Sequence, residues 1–332
     1  MTTVAIIGAG VTGLACARAL VERGLTVRVF DKGRSAGGRL ATRRSEAHTF
    51  DLGAQYFTVR DDRFARAAGG CAVWQARIVA IDEARQVADV EPCERWVGTP
   101  GMSALGAHLA TGIDVRSGHR VDRLERANGK VVLHGTIAPA GVTLAPPTQD
   151  EPARKILGEF DRVIITVPAP QALPLVGPAL AAPLAAVAFE PCFAVGLAAE
   201  ELRAVPFDGA FVGRDGETWS PLSWIARDSS KPGRPPGERW VLHASGAWSA
   251  AHLDASEEDV IAALTTELAR LVSIPLRPSF TLSRRWLLAR AAPALDVGAL
   301  HDDAVLVGGD WAQGGRIEGA FTSGLALAAA VA

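Results

Sequence analysis

VAIIGAGVTGLACARALVERGLTVRVFDKG, residues 4–33, decides the fold. An apolar run ends in Gly8, Gly10 and Gly13, and a second apolar run ends in Asp31. The pattern predicts a buried strand over 3–7, a helix over 11–23 and a second strand over 26–31, which is one βαβ unit. Glycine at Gly8 permits a tight strand-to-helix turn, at Gly10 close approach to a pyrophosphate, and at Gly13 close packing of helix on strand. Val11 and Thr12 open the helix, whose free N–H groups face the phosphates. Asp31, 18 residues after Gly13, stands where a carboxylate accepts ribose hydroxyls. A tight turn that holds no ligand is the plainer alternative, and the fingerprint alone does not separate a nicotinamide from a flavin dinucleotide.

Composition narrows the classes. The 332 residues are 48% hydrophobic and 21% charged with a net charge of −2, the profile of a globular protein with no basic surface for nucleic acid. Only Lys32, Lys130, Lys155 and Lys231 are lysines; arginine supplies the other basic side chains. Cys16, Cys71, Cys93 and Cys192 show no CxxC spacing, and the seven histidines form no HExxH, so no metal site is expected. No export signal is read at the start, which predicts a cytoplasmic protein. Residues 172–189 are apolar but broken by Pro174, Pro178 and Pro183, and the terminal AFTSGLALAAAVA is too short to span a bilayer, so no membrane role is expected.

Further along, 57–95 reads as short helical and irregular segments and 102–111 as a helix. Strands are expected near 113–116, 121–126, 130–136, 161–168, 191–199, 209–213, 218–226, 239–246 and 304–310. The proline-rich stretch 138–152 reads as a surface loop or insertion. SEEDVIAALTTELARLV, 256–272, is an amphipathic helix capped by Ser256, and a last helix covers about 318–331.

Three later stretches favour a flavin. Gly37-Gly38-Arg39 follows the acidic strand end and suits passage around a pyrophosphate. FDLGAQYF, 50–57, sets Gly53 and Ala54 beside polar and aromatic groups. In GGDWAQGGRIEGAFTSGLA, 308–326, a strand ends at Gly309-Asp310 and a helix begins near Glu318-Gly319-Ala320. That carboxylate suits a polyol, and that helix start suits an electron-rich ring. A nicotinamide enzyme has no need of such a segment.

These features resemble flavoproteins of the amine-oxidase superfamily. DKGRSAGGRLATRR (31–44), DLGAQYFT (51–58), RWVGTPGMSAL (95–105), VIITVPAPQA (163–172), WVLHASGAWSAAHLDAS (240–256), RRWLLARAAPA (284–294) and GDWAQGGRIEGAFTSG (309–324) resemble bacterial renalases along most of the chain. The departures are the loop 138–152 and the sequence across 71–93. The resemblance implies non-covalent FAD and oxidation of 2- or 6-dihydro-NAD(P). Hydride would pass to flavin N5, and O2 would regenerate the flavin with release of H2O2. It assigns Gly8, Gly10, Gly13, Asp31, Lys32, Gly38, Arg39, Val121, Asp310 and Ile317 to Ala320 (with Gly319) to the cofactor. Gln55, Tyr56, Phe57, Trp96, Val97, Gly98, Thr99, His243, Trp286 and Arg316 fall on the substrate pocket. Of these, Gln55, Tyr56, His243 and Trp286 are the candidate catalytic positions. Trp96 and Trp286 fit core positions equally well, and His243 fits a satisfied buried histidine.

The expected architecture is a Rossmann-like FAD domain (1–56, 100–170 and 296–332) and a substrate domain (57–99 and 171–295) on a mostly antiparallel sheet. An amine oxidase is one rival, disfavoured because no lysine stands in RRWLLAR and there is one tyrosine. A non-catalytic flavin-binding protein is the other.

Overall fold

The computed structural model describes residues 2–45, 48–139, 142, 144, 155–213 and 219–331. Most of the proline-rich segment 138–152 lies outside the described residues. The predicted α/β architecture is present, organised around two large sheets.

The first sheet runs Leu300–Asp302, Val305–Val307, Arg162–Ile165, Thr3–Ile7, Thr26–Asp31, Asp114–Ser117, parallel throughout except for its first pair. Val4, Ala5 and Ile6 are fully buried, as a central parallel strand covered on both faces requires. Alternate side chains enter different cores. Val4 and Ile6 pack with Leu14, Leu20 and Val29 under the helices Val11–Glu22 and Ile317–Ala330. Ala5 and Ile7 pack with Phe30, Val163 and Ile165. This second face is covered by a three-stranded antiparallel sheet, His119–Ala127, Lys130–Ile137 and Lys155–Phe160, and by the helix Pro178–Ala185, which lies in the proline-broken apolar stretch. The strand Lys155–Phe160 was not anticipated, since Gly158 and Glu159 break its apolar pattern.

The second sheet runs Phe280–Ala291, Phe189–Ala198, Arg239–Ala244, Leu222–Arg227, Gly209–Val212, Ile78–Ile81, Val87–Asp89 and is antiparallel except where Gly209–Val212 meets Ile78–Ile81. The helix Glu257–Val272 covers one face through Val260, Leu264, Leu268 and Leu271, packed with Val195, Trp240 and Leu242. Ser256 caps it, accepting the Asp259 N–H at 3.1 Å. One expectation is corrected here, and one long strand has no expectation to match. Residues 57–95, read as helical and irregular, contain the strands Cys71–Val73, Ile78–Ile81 and Val87–Asp89. They are only three or four residues long, and Val87–Asp89 is exposed, so no alternation could develop. RRWLLAR lies in a 12-residue edge strand whose Arg284, Arg285 and Leu287 face solvent, which erases the apolar period.

Every strand of the first sheet comes from 1–56, 100–170 or 296–332, and every strand of the second from 57–99 or 171–295. The segment 49–57 runs between them. Phe50 and Leu52 pack on Ala194 and Val241 of the second sheet, while Phe57 packs on Phe64 at 5.3 Å.

Between Phe50 and Leu52, Asp51 points into a buried group of charges. The side chains of Asp51, Asp228, Lys231 and Arg234 are at most 1% exposed. Lys231 Nζ lies 2.7 Å from Asp228 Oδ1 and 3.5 Å from Asp51 Oδ2, and Arg234 pairs with the same Asp51 oxygen. Asp51 Oδ1 accepts the Thr42 hydroxyl at 2.7 Å and the Met102 N–H at 2.9 Å. Arg234 Nη1 also donates to Gly98 O at 2.8 Å. Burial alone would push the Asp51 carboxyl up, but Lys231, Arg234 and these hydrogen bonds outweigh it and hold it below the usual carboxylate range. Burial pushes Asp228 up, against the pull of Lys231.

Removing one member strands the others in a medium that solvates charge poorly. Asp51→Ala is therefore expected to cost about 3–5 kcal/mol in the unfolding of the FAD-loaded protein. Because the folded carboxyl titrates below its unfolded value, its stabilisation is present above about pH 4 and is lost as the pH falls through the folded value. The gap in unfolding temperature between wild type and variant should thus narrow on acidification. A gap below about 1 kcal/mol at neutral pH would show that the cluster does not hold the two sheets together.

Candidate active site

The glycine fingerprint folds as its chemistry requires. Gly8 has φ +109°, and a Cβ on Gly13 would lie 2.0 Å from Gly8 O. A Cβ on Gly10 would meet nothing within 4 Å, so the backbone there is open. The first turn at Val11 and Thr12 carries no side-chain cap and no acid, leaving its N–H groups available to an anion. The second glycine pair closes over the same point. Gly37 N–H donates to Ala9 O at 2.8 Å, and Gly38 (φ +56°) brings its missing Cβ position within 3.7 Å of Gly10 Cα.

Asp31 accepts the Ala9 and Gly33 N–H groups, each at 2.6 Å, one on each carboxylate oxygen. Burial pushes this carboxyl up, with both N–H groups pulling the other way. A lone pair remains on each oxygen for a ribose hydroxyl. Burial lowers the neighbouring Lys32, against the pull of Asp31. Val121 is 7% exposed, and Gly118 N–H, immediately before the strand His119–Ala127, bonds Gly33 O at 2.8 Å. Arg39 and Asp310, 271 residues apart, meet at 2.6 Å. A Cβ on Gly53 would lie 2.0 Å from Arg39 O, which also accepts the Ala54 N–H at 3.0 Å. The helix Ile317–Ala330 begins without a side-chain cap, and a Cβ on Gly319 would lie 1.8 Å from Gln313 O. Gly309 is extended, and its N–H bonds Ser323 Oγ at 3.0 Å. Ala320 is buried.

These residues fit FAD. The open Gly10 and the uncapped helix start suit the pyrophosphate, with Arg39 beside them. Asp31 suits the adenosine ribose, Asp310 the ribityl chain, and the start of Ile317–Ala330 the ring.

The predicted pocket residues divide into groups. Gln55 is 6% exposed, and its amide is engaged by protein partners. Its Nε2 donates to Asp51 O and to Gly53 O (3.1 Å), and its Oε1 accepts from Lys231 Nζ at 3.1 Å. His243 Nε2 is 3.5 Å away. Burial, then the Lys231 charge, pushes His243 down to about 4, so it is neutral near pH 7. Trp286 donates its indole N–H to Leu52 O at 2.8 Å. Tyr56 lies between the Trp224 ring at 5.5 Å and the Arg95 guanidinium at 5.3 Å. Phe57 and Val97 are buried in the core. Gly98 abuts Gly101 O, and the Thr99 hydroxyl is buried without a partner. Trp96 pairs with Phe57 as an isolated bridge and gives its indole N–H to Glu94 at 3.1 Å. Arg316 lines a separate recess of about 420 Å³ with Thr58, Arg60, Gln313, Glu318 and Gly319.

Sequence reasoning missed Lys231, Asp228, Arg234 and Arg95. DSSKPGR, 228–234, carries the turn residues Pro and Gly, and only the fold turns its charges inward. A lysine in an arginine-dominated chain was the one available signal. Among the described residues there is no group of three or more metal-binding side chains, and no helix is long and apolar enough to cross a membrane.

Comparison with known proteins agrees with this geometry. Residues 6–68 match the NAD(P)-binding Rossmann-like domain, and residues 80–332 match the flavin containing amine oxidoreductase family. A 58-residue stretch is 41% identical to a 4,4'-diapophytoene desaturase (4,4'-diaponeurosporene-forming) of Staphylococcus haemolyticus, covering 18% of this chain and 12% of that protein. A 50-residue stretch is 44% identical to the corresponding Staphylococcus aureus (strain Newman) protein, covering 15% and 10%. The chain thus spans only about a tenth of the length of these curated relatives. An Exiguobacterium sp. 255-15 structure provisionally assigned as a protoporphyrinogen oxidase superposes with a TM-score of 0.77 at 12% identity, over 99% of this chain and 98% of that one. Putrescine oxidase bound to putrescine gives 0.73 at 14% identity, with the same coverage. The fold is shared with both, the cofactor is FAD, and the chain belongs to the flavin containing amine oxidoreductase family.

Proposed function

We propose that the protein is a renalase-like oxidase that converts 2- or 6-dihydro-NAD(P) to NAD(P)+. When bound, FAD supplies the two-electron chemistry, accepting a hydride at N5 and passing the electrons to O2 as H2O2. The observation that carries this reading is the charge around the pocket. Arg60 and Arg316 line the recess at the start of Ile317–Ala330 together with Glu318, whose carboxylate accepts the Arg60 and Asp61 N–H groups, and neither guanidinium has a carboxylate within ion-pair distance among the described residues. Two guanidinium groups against one carboxylate favour an anion over a cationic amine, and a dinucleotide brings the anions these groups accept.

The polar groups nearby point the same way. Lys231 is enclosed by Asp228, Asp51 and Gln55, and His243 is neutral near pH 7. Neither is placed to take a proton from carbon, and a dihydronicotinamide, which already carries its electrons, needs no such base. The protein's task is orientation. Tyr56 and Trp286 offer an aromatic wall and a polar edge. Gln55 acts through the segment 51–57, whose shape its amide fixes. Trp96 pairs with Phe57, the residue after Tyr56, in an isolated antiparallel bridge.

Two outcomes are expected. Heat should release intact FAD, because burial pushes Cys192 up to about 12 and Cys71 up to about 11, and no cysteine adjoins Gly309-Asp310. Asp31→Ala should weaken FAD retention by about 1–3 kcal/mol through lost charged hydrogen bonds, read from flavin absorbance after dialysis. Unchanged occupancy would remove Asp31 from the cofactor site.

Anaerobic mixing tests the substrate. Flavin bleaching should be fast with a 2- or 6-dihydro isomer. Ordinary 4-dihydro-NAD(P)H should be at least about a hundredfold slower, since a misplacement of about 1 Å costs that much. Gln55→Ala should narrow the difference more than it lowers FAD content. Rapid bleaching by ordinary NADH, or by a primary amine and no isomer, would overturn the reading.

A further inference from the structure

A second recess reaches Tyr56 through Arg95. It is a groove of about 520 Å³ between the strands Cys71–Val73 and Ile78–Ile81 and the stretch 89–95, lined by Trp74, Ile78, Val90, Pro92, Glu94 and Arg95. Arg95 is 7% exposed. Its Nη1 donates to Cys93 O at 3.2 Å, its Nε is buried without a partner, and its guanidinium lies over the Tyr56 ring at 5.3 Å. Of the two acids of the groove, Asp89 pairs with Arg77, also in its lining, at 3.1 Å, and Glu94 accepts the Trp96 indole N–H and makes no ion pair with Arg95. Among the described residues no carboxylate pairs with Arg95.

A guanidinium withdrawn this far from water, with donors left over and no counter-charge, is costly unless a ligand supplies the anion. The acids of the large internal cluster do not supply it; Asp51 and Asp228 are claimed by Lys231 and Arg234. Its planar fork matches two oxygens of one phosphate. The Tyr56 ring, 5.3 Å from the guanidinium carbon, links that fork to the pocket.

We propose that this groove is a phosphate subsite, and that Arg95 holds the phosphate-bearing arm of the substrate while the reacting ring lies beyond Tyr56. The proposal rests on the dihydronicotinamide reading for the identity of that arm. The anion could equally be a free phosphate or pyrophosphate, and the arms of the test separate these sources.

The test uses the FAD-loaded protein. Flavin bleaching is measured with the dihydronicotinamide dinucleotide, mononucleotide and riboside, the last bearing no phosphate. In Arg95→Met, kcat/KM for the dinucleotide relative to the riboside should fall at least tenfold, mostly through KM. Arg95→Lys, which keeps the charge but loses the fork, should fall between. An unchanged ratio in both variants would overturn the proposal. In the unaltered protein, inorganic pyrophosphate should raise KM for the dinucleotide and not for the riboside. Equal inhibition of both, or of neither, would overturn it. If no dihydronicotinamide bleaches the flavin, the functional reading fails by itself. Calorimetry with pyrophosphate and ADP-ribose then decides the groove. Saturable binding lost in Arg95→Met supports the subsite, and binding that is absent or unaltered in the variant rejects it.

Discussion

Everything between the two sheets depends on one carboxylate. Asp51 stands on the short strand Thr49–Asp51, which no large sheet contains, and it gathers Lys231 and Arg234 from a loop of the second sheet and the Met102 N–H from the start of a helix beside the first. Such a cluster contributes little net stability against an apolar equivalent. Its value here is positional. It sets where 51–57 runs, and that segment carries Gly53 against Arg39, Gln55 against His243, and Tyr56 against Arg95. Cofactor-side and substrate-side groups thus share a few consecutive residues whose path is fixed by buried charge.

The cofactor side works by a different constraint, the absence of side chains. Gly13, Gly53 and Gly319 each leave no room for a Cβ against a carbonyl oxygen, whereas Gly10 leaves space. Contact and clearance alternate within a few residues, giving a cradle whose walls are backbone and whose opening is sized for backbone-like groups of a dinucleotide. Arg39 and Asp310 close it electrostatically from opposite ends of the chain.

How legible this was depended on how local the signal is. The βαβ unit, the capped helix Glu257–Val272 and most long strands follow from periodicity within a dozen residues. The 12-residue edge strand and the short strands of 71–89 do not, because exposed arginines and leucines replace the alternation that burial imposes. The Gly-Gly-Arg and Gly-Asp motifs were visible, but their meeting across 271 residues was not. The charge cluster was invisible for the opposite reason. Asp228, Lys231 and Arg234 sit among turn residues that ordinarily mark solvent, and nothing local says that a loop is folded inward over Asp51. Arg95 was hidden in the same way, its isolation being a property of what surrounds it.

The contact between the helices Val11–Glu22 and Ile317–Ala330, far apart in sequence, has a consequence for how the fold forms. Gly324 in the last helix sits so close to the first that a Cβ would come within 2.4 Å of Thr12 O, and the pair forms one wall of the core around Val4 and Ile6. The helix Val11–Glu22 therefore keeps an apolar face uncovered until Ile317–Ala330 docks on it. Central pairings of such long sequence separation are slow to form and leave unsealed intermediates prone to association. Shortening Ile317–Ala330 would accordingly act on the distant glycine fingerprint, uncovering the helix that the dinucleotide cradle is built on.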